Sequence, residues 1–264
     1  MRQEIKTWYN GYHFGDNVPA VYNPFSLMNA LKELSFKNFW MQSGTPKFLV
    51  DVLKKEHRIF DHEKLETTED SLGIFDVGAT PLMALMFQSG YLTIVGYDNE
   101  TKLFKLDYPN EEVRVSLQKY LLEAFTKLDA VVAEQLAASL RTALNNVDME
   151  EVISLLKQLF AHVPYQLQVK KEKDYHALLQ MAFISSGIKA QSEYLTAHGR
   201  IDMVLDLPKI MYVIEIKLNQ PAEMALKQIE DKRYWEQFLK NGKQILLLGL
   251  SFERGPGTLI LPMQ

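Results

Sequence analysis

The chain of 264 residues contains no cysteine. This absence excludes a disulfide-stapled scaffold, a cysteine-ligated zinc site, an iron–sulfur cluster and a cysteine nucleophile. Oxygen ligands are then the expected metal chemistry. The lack of cysteine also fits a reducing compartment, and we expect a cytoplasmic protein.

Three further features are missing from the sequence. No run approaches about 18 consecutive apolar residues, so we expect no membrane-spanning segment. The phosphate-binding motif Gly-x-x-x-x-Gly-Lys-Ser/Thr does not occur, and we expect no ATP site in this chain. Neither a His-Glu-x-x-His motif nor a Ser/His/Asp order suggests a different hydrolase.

Charge is distributed unevenly along the chain. The net charge is −4, yet residues 166–264 carry 13 basic against 11 acidic side chains. This mild basic balance permits a nucleic-acid groove in the last third of the chain without requiring one. The overall mixture of 47% hydrophobic and 23% charged residues is that of a folded protein.

The turn and break signals predict four regions. We expect a helical region over 1–70, a helix-plus-hairpin unit over 71–125, a helical connector over 126–165 and an α/β domain over 166–264. The break at His162-Val163-Pro164 marks the start of the last region.

The second region has the shape of a winged-helix element. Thr80-Pro81 is a typical helix start, residues 82–88 carry the helix, and strand-like runs follow at 91–95 and 102–106. A small packing module without nucleic-acid contact gives the same pattern, because only Lys102 and Lys105 lie near the expected wing.

The last region alternates helix and strand, which predicts an α/β domain within a chain that is α+β overall. Its expected order is helix, three strands, helix, strand. The predicted elements are a helix over 174–186, strands over 188–195, 201–207 and 211–218, a helix over 221–240 and a strand over 244–250.

Two of these strands carry charge in an apolar setting. Asp202 lies on the second strand, and Glu215 and Lys217 share one face of the third. A hairpin with Pro208-Lys209 as its two-residue turn places Asp202 directly opposite Glu215, with Cβ atoms about 4.5–5.5 Å apart. Charge in a buried strand is costly unless it is paired or bound to metal.

The pattern leaves two interpretations open. Two close carboxylates repel each other unless a cation lies between them, and hard oxygen ligands suit Mg²⁺ or Mn²⁺. The alternative is a cross-strand salt bridge of Lys217 with Asp202 or Glu215, without any metal.

The residues resemble the PD-(D/E)XK nuclease superfamily, whose core is a restriction-endonuclease-like α-β-β-β-α-β domain. The resemblance is greatest to bacterial proteins in which a nuclease-like domain follows an AAA-ATPase-like domain. It rests on Tyr175-His176-Ala177-Leu178, Gly199-Arg200-Ile201-Asp202, Ile214-Glu215-Ile216-Lys217, Ala225-Leu226-Lys227-Gln228-Ile229 and, upstream, Trp8-Tyr9-Asn10-Gly11-Tyr12, Tyr22-Asn23-Pro24-Phe25-Ser26, Ser43-Gly44-Thr45-Pro46 and Gly90-Tyr91-Leu92-Thr93-Ile94.

The resemblance implies roles for five residues. Asp202 and Glu215 would ligate Mg²⁺ or Mn²⁺, with the carbonyl of Ile216 as a further ligand. Lys217 would be the catalytic lysine, and Gln228 on the following helix would support the metal-bound water or a phosphate.

Other positions are less clear from the sequence. Arg200 is a candidate phosphate contact or a solvated surface arginine. His176 is a candidate nucleic-acid residue, or a helix residue packed or hydrogen-bonded near the site. Glu172 and Asp174, which precede His176, are the acidic residues near the place where many members of the superfamily have a first-helix ligand. Tyr234 follows Gln228 by six residues, on a different helical face, and is given no catalytic role.

Two functions therefore remain. The first is a nuclease that hydrolyses DNA phosphodiester bonds, and the second is a catalytically silent nucleic-acid- or protein-binding module on a nuclease-like fold. The resemblance also implies an ATPase-like partner or a missing N-terminal ATPase part, since the sequence suggests a fragment of a longer chain or a truncated gene.

Overall fold

The computed structural model describes residues 1–15, 18–43, 47–55, 65–73, 81–164, 171–252 and 259–260. Its helices and sheets form an α+β protein, as the sequence predicts. The chain divides into two compact units at Tyr120 and Leu121, within a helix that spans Glu111–Thr126. The finer division into four regions stays a prediction.

The first unit combines short helices with two small sheets. Strands β1 and β2 pair with each other, and β4 and β5 form an antiparallel hairpin with β3 on the outer side of β5. In chain order, the described elements are α1 (Arg2–Tyr9), β1 (Asn10–Tyr12), β2 (Val21–Tyr22), α2 (Pro24–Glu33), a 3₁₀ helix (Trp40–Ser43), α3 (Lys47–Lys55), β3 (Glu66–Thr67), α4 (Glu69–Gly73), α5 (Leu82–Gln88), β4 (Thr93–Asp98) and β5 (Leu103–Asp107).

The helix starts in this unit follow local capping chemistry. The side-chain oxygen of Asn23 accepts hydrogen bonds from the backbone N–H groups of Phe25 and Ser26, at 3.0 and 3.3 Å. Pro81 is the N-cap of α5 and not its first helical residue. Thr80 lies outside the described residues. The β4–β5 hairpin follows helix α5 along the chain, as expected. The winged-helix interpretation stays a prediction.

Three helices follow, as the apolar spacing from 111 to 160 predicts. They are α6 (Glu111–Thr126), α7 (Ala130–Asn146) and α8 (Met149–Ala161). Asp148 caps α8 by accepting a 3.1 Å hydrogen bond from the N–H of Glu151. The apolar stripes of α7 and α8 are buried, which explains their three- and four-residue spacing.

The C-terminal part contains the predicted order of helix, three strands, helix and strand, with one short strand added. Its described elements are α9 (Glu172–Ser185), β6 (Lys189–Thr196), β7 (Gly199–Asp206), β8 (Ile210–Leu218), α10 (Ala222–Lys232), a 3₁₀ helix (Tyr234–Asn241), β9 (Gln244–Phe252) and β10 (Leu259–Ile260). The sheet order is β10-β9-β8-β7-β6.

Helix α10 is the crossover that joins the parallel strands β8 and β9. It lies close to β9 at Gly249, where a Cβ atom would come within 2.5 Å of the carbonyl oxygen of Ala222. Strand β8 is buried from Ile210 through Ile216 because it lies between β7 and β9. A charged side chain within this buried stretch, such as Glu215, is therefore held away from solvent.

The predicted β7–β8 register is confirmed. Met203 pairs with Ile214 and Asp206 pairs with Met211. The N–H of Leu207 donates a 2.9 Å hydrogen bond to the carbonyl of Ile210, which closes the two-residue turn. The same register places Asp202 opposite Glu215, one step beyond the Met203–Ile214 pair.

The single long helix predicted over 221–240 is wrong. Helix α10 ends at Lys232, Arg233 adopts the left-handed conformation with φ 51°, and the 3₁₀ helix follows. The break lets Tyr234 and Phe238 join an apolar cluster with Ile201 and Val213 on the sheet. Burial of two aromatic rings outweighs the local preference for continued helix.

Candidate metal centre

The centre of the site is a pair of buried carboxylates on adjacent strands. Residue exposure is 9% for Asp202 on β7 and 1% for Glu215 on β8. The Oδ2 atom of Asp202 accepts a 2.7 Å hydrogen bond from the backbone N–H of Ile216. This bond fixes the Asp202 carboxylate beside β8, where the main-chain ladder between the strands has ended.

Glu215 is held by two donors on one oxygen. Its Oε1 atom accepts hydrogen bonds from Lys217 Nζ at 3.2 Å and from Gln228 Nε2. Its Oε2 atom is buried and has no hydrogen-bond partner among the described residues. Burial, followed by the negative charge of Asp202, raises the pKa of Glu215 to about 8, while Lys217 acts in the opposite direction.

The salt-bridge alternative accounts for only part of this geometry. Lys217 pairs with Glu215 on its own strand, and its side chain is 17% exposed. Asp202 accepts a hydrogen bond from the backbone N–H of Ile216 and forms no ion pair with Lys217. The single ammonium thus leaves the Asp202 charge and the second oxygen of Glu215 for another positive partner.

The break after α10 brings Tyr234 to the site, contrary to its expected position on another helical face. Its side chain hydrogen-bonds with Gln228, and burial raises the pKa of its phenol. The hydroxyl also lies against Gly199, where a Cβ atom would come within 3.0 Å of it. Tyr234 therefore contacts the glutamine that holds Glu215.

The site extends to a third carboxylate that the sequence analysis missed. Glu193 on β6 lies in a register where Ser192 pairs with Met203 and Tyr194 pairs with Ile201, which places it opposite Asp202. Its backbone has φ 53°, and its side chain is only 14% exposed. The two-residue turn Ala197-His198 between β6 and β7 could have revealed this register from the sequence.

His176 lies between two of these carboxylates. Its Nε2 atom is 3.8 Å from Asp202 Oδ2, and its Nδ1 atom is 3.8 Å from Glu193 Oε1. The residue is 6% exposed, and neither ring nitrogen has a hydrogen-bond partner among the described residues. Single ligand atoms of His176, Glu193 and Asp202 lie within 4.8 Å of one another.

The remaining sequence candidates have other partners. Arg200 forms an ion pair with Glu193 while its own side chain stays 57% exposed. Glu172 accepts a 3.2 Å hydrogen bond from the N–H of Leu218, and Asp174 accepts one of 2.9 Å from the N–H of Lys171 as part of the α9 cap. Neither acidic residue belongs to the cluster around His176.

The donor set fits a divalent cation. Two buried carboxylates, the half-buried carboxylate of Glu193 and the imidazole of His176 converge on one region of the sheet, where the imidazole and Glu215 Oε2 have no hydrogen-bond partner among the described residues. Oxygen and imidazole-nitrogen donors bind Mg²⁺, Mn²⁺ and related ions. The Asp202–Glu215 pair, and the imidazole of His176 on the other side of Asp202, are therefore suited to hold divalent cations.

This site lies in a nuclease-like domain. Residues 170–260 match a family model described as PD-(D/E)XK nuclease superfamily, which supports that part of the resemblance. The association with AAA-ATPase-like proteins stays a prediction.

One curated relative aligns with nearly the whole chain. It is an "Uncharacterized protein in vnfD 5'region" of Azotobacter chroococcum mcd 1, 35% identical over 270 residues. The alignment covers 98% of this chain and 52% of the relative, so the chain spans about half the length of the protein it matches. No solved structure matches the chain.

A separate observation concerns membranes. Among the described residues, no helix has the length and apolar character needed to cross a lipid bilayer.

Proposed function

We propose that the C-terminal domain is a divalent-metal-dependent nuclease that hydrolyses DNA phosphodiester bonds. The observation that carries the proposal is the buried Asp202–Glu215 pair with Lys217 bonded to Glu215, inside a region that matches the nuclease superfamily. A structural ion pair alone leaves a buried carboxylate unneutralised, which is an unfavourable arrangement for a protein interior.

In this proposal Asp202 and Glu215 hold Mg²⁺ or Mn²⁺, together with the carbonyl of Ile216. The N–H and C=O groups of a strand residue point to the same side, and the Ile216 N–H faces Asp202. When bound, the ion polarises a phosphodiester oxygen and lowers the pKa of a water molecule.

The protein side chains contribute positioning and charge. Gln228 fixes the rotamer of Glu215 through its hydrogen bond to Oε1, and Tyr234 holds Gln228 in turn. Lys217 brings a partly exposed ammonium next to Glu215. From there it can orient the attacking water or stabilise the charge that develops on phosphate.

Cleavage assays test this function. Linear, nicked, branched and single-stranded DNA are incubated with the protein and Mg²⁺ or Mn²⁺. We expect cleavage of at least one substrate, with a loss of about 10² or more in rate for Lys217→Ala. Lys157→Ala is the matched control, because Lys157 is exposed on α8 and lies outside the site.

Two outcomes contradict the proposal. Cleavage that persists in Lys217→Ala assigns the activity to another site or to a contaminant. Tight DNA binding without cleavage under all metal conditions supports a catalytically silent module instead.

The proposal also includes two elements that rest on sequence alone. They are a cytoplasmic location and an ATPase-like partner, either in the same longer protein or on a separate chain. The absence of cysteine supports the first, and the resemblance of the upstream motifs supports the second.

A further inference from the structure

Next to the proposed catalytic residues lie two further side chains that could bind a metal, Glu193 and His176. Side-chain exposure is 14% for Glu193, 13% for Asp202 and 2% for Glu215. These three carboxylates come from the adjacent strands β6, β7 and β8. Lys217 pairs with Glu215 at one end and Arg200 pairs with Glu193 at the other, so the central Asp202 has no ion pair with a lysine or arginine among the described residues.

His176 is the observation that points to a ligand here. It is more than nine-tenths buried, and both ring nitrogens lack hydrogen-bond partners within the described part of the chain. Each nitrogen lies 3.8 Å from a carboxylate oxygen, which is too long for a hydrogen bond. Two ligand atoms that each lie about 2.0–2.2 Å from one metal are separated by about 3–4.4 Å.

We propose that His176, Glu193 and Asp202 form a second cation position, which takes a transition-metal ion such as Mn²⁺ or Zn²⁺ in preference to Mg²⁺. One ligand atom from each of the three residues lies within 4.8 Å of the other two, close to the separation that a shared ion gives. An imidazole nitrogen favours transition metals, whereas Mg²⁺ prefers an all-oxygen shell that includes several waters.

Asp202 joins the two positions. Its carboxylate lies between Glu193 and Glu215 in the register of the three strands. The inference rests on the proposed function only through this shared residue. The chemistry of the two positions nevertheless differs. Glu215 and Ile216 supply oxygen ligands to the metal position of the proposed function, whereas His176 supplies a nitrogen ligand to the second cation position.

Calorimetric titration of the full chain with MnCl₂, ZnCl₂ or MgCl₂ tests the inference without measuring activity. We expect Mn²⁺ to bind at least about tenfold more tightly than Mg²⁺. Glu193→Gln and His176→Gln should each weaken Mn²⁺ binding by about 10- to 100-fold and change Mg²⁺ binding less than about twofold. His162→Gln is the matched control, because His162 is exposed at the end of α8.

A measurement on the unaltered protein covers the case in which a variant fails to fold. In ¹⁵N-histidine NMR spectra, Zn²⁺ should shift one ring nitrogen of His176 and leave His162 unchanged. Failure of Zn²⁺ to shift the His176 nitrogens overturns the inference. Mn²⁺ affinity that stays within twofold of wild type in Glu193→Gln overturns it as well.

The two proposals fail in different ways. Glu215→Gln should abolish DNA cleavage but retain the His176-dependent binding of Zn²⁺. Metal binding that depends on Glu193, in a protein that cleaves no DNA, contradicts the proposed function and supports the second cation position. Cleavage that depends on Glu215, together with metal binding that does not change in Glu193→Gln, supports the proposed function and contradicts the second cation position.

Discussion

The carboxylate of Asp202 accepts a 2.7 Å hydrogen bond from the backbone N–H of Ile216 on the neighbouring strand. This bond fixes the side chain at the point where β7 and β8 cease to pair through their backbones. It also means that the structural and chemical contributions of Asp202 can be separated, because an asparagine retains an oxygen that accepts the same bond.

Asp202→Asn is therefore expected to fold normally and to lose metal. The amide keeps the Ile216 contact but removes the negative charge, so affinity for Mn²⁺ should fall by at least about tenfold. Calorimetry measures the affinity and thermal melting reports the fold. Asp206→Asn is the control on the same strand, where Asp206 pairs with Lys243. Equal losses in both variants contradict a specific role for Asp202.

Tyr234→Phe should slow cleavage more than it weakens metal binding. The change removes the hydroxyl that hydrogen-bonds with Gln228, which leaves the amide and Glu215 less well fixed. We expect kcat to fall by about tenfold while the Kd for Mn²⁺ changes less than about threefold. Tyr194→Phe is the control, since Tyr194 packs against the same apolar cluster as Tyr234. A parallel loss of metal affinity and stability would indicate a purely structural role.

Arg200→Gln should separate phosphate contact from metal binding. The guanidinium pairs with Glu193 and is 57% exposed. Its removal frees the carboxylate for a cation, so Mn²⁺ affinity should rise by about two- to fivefold. DNA affinity should fall, and the slope of log affinity against log salt should decrease by about one. Arg114→Gln, which alters an ion pair with Asp107, is the control. Unchanged salt dependence contradicts the phosphate contact.

The first unit contains a buried carboxylate with a testable pH effect. Glu112 is fully buried and accepts hydrogen bonds from the N–H groups of Phe39 and Trp40, at 2.8 and 3.0 Å. Burial raises the pKa of Glu112 above its ordinary value of 4.5, against the effect of these two bonds. The folded chain thus keeps this proton after the unfolded chain has lost it, so the free energy of unfolding falls as the pH rises above 4.5.

Glu112→Gln should remove that contribution. Its amide oxygen can still accept from Phe39 and Trp40, but it carries no charge at any pH. The free energy of unfolding is measured by urea denaturation in EDTA between pH 4 and 8. Over this range it should decline less for the variant than for the wild type, by about 1–2 kcal/mol. Glu134→Gln, an exposed change on α7, is the control. Identical pH profiles for wild type and Glu112→Gln contradict the assignment.

The sequence predicted the strand pairing of the site because a two-residue turn determines register. Pro208-Lys209 placed Asp202 opposite Glu215, and the observed pairs follow that register. The same argument applied to Ala197-His198 would have identified Glu193. The strand β6 carries no apolar run around Glu193 that would have marked its carboxylate as buried.

The position of Tyr234 was not predictable from local patterns. Residues 222–241 contain no glycine or proline that would end a helix, and the break depends on Arg233 in the left-handed conformation. That conformation is favoured by burial of Tyr234 and Phe238 against the sheet. Only tertiary packing provides this information, so the contact between Tyr234 and Gln228 emerges from the three-dimensional structure.

Restoration of DNA cleavage by added metal tests the central claim most directly. Protein stripped of metal with EDTA should be inactive. Added Mn²⁺ or Mg²⁺ should restore cleavage by the wild-type protein but not by Asp202→Asn, with both proteins at the same concentration of folded chain. Cleavage by the stripped protein, or equal restoration of Asp202→Asn, would contradict a metal-dependent nuclease centred on Asp202 and Glu215.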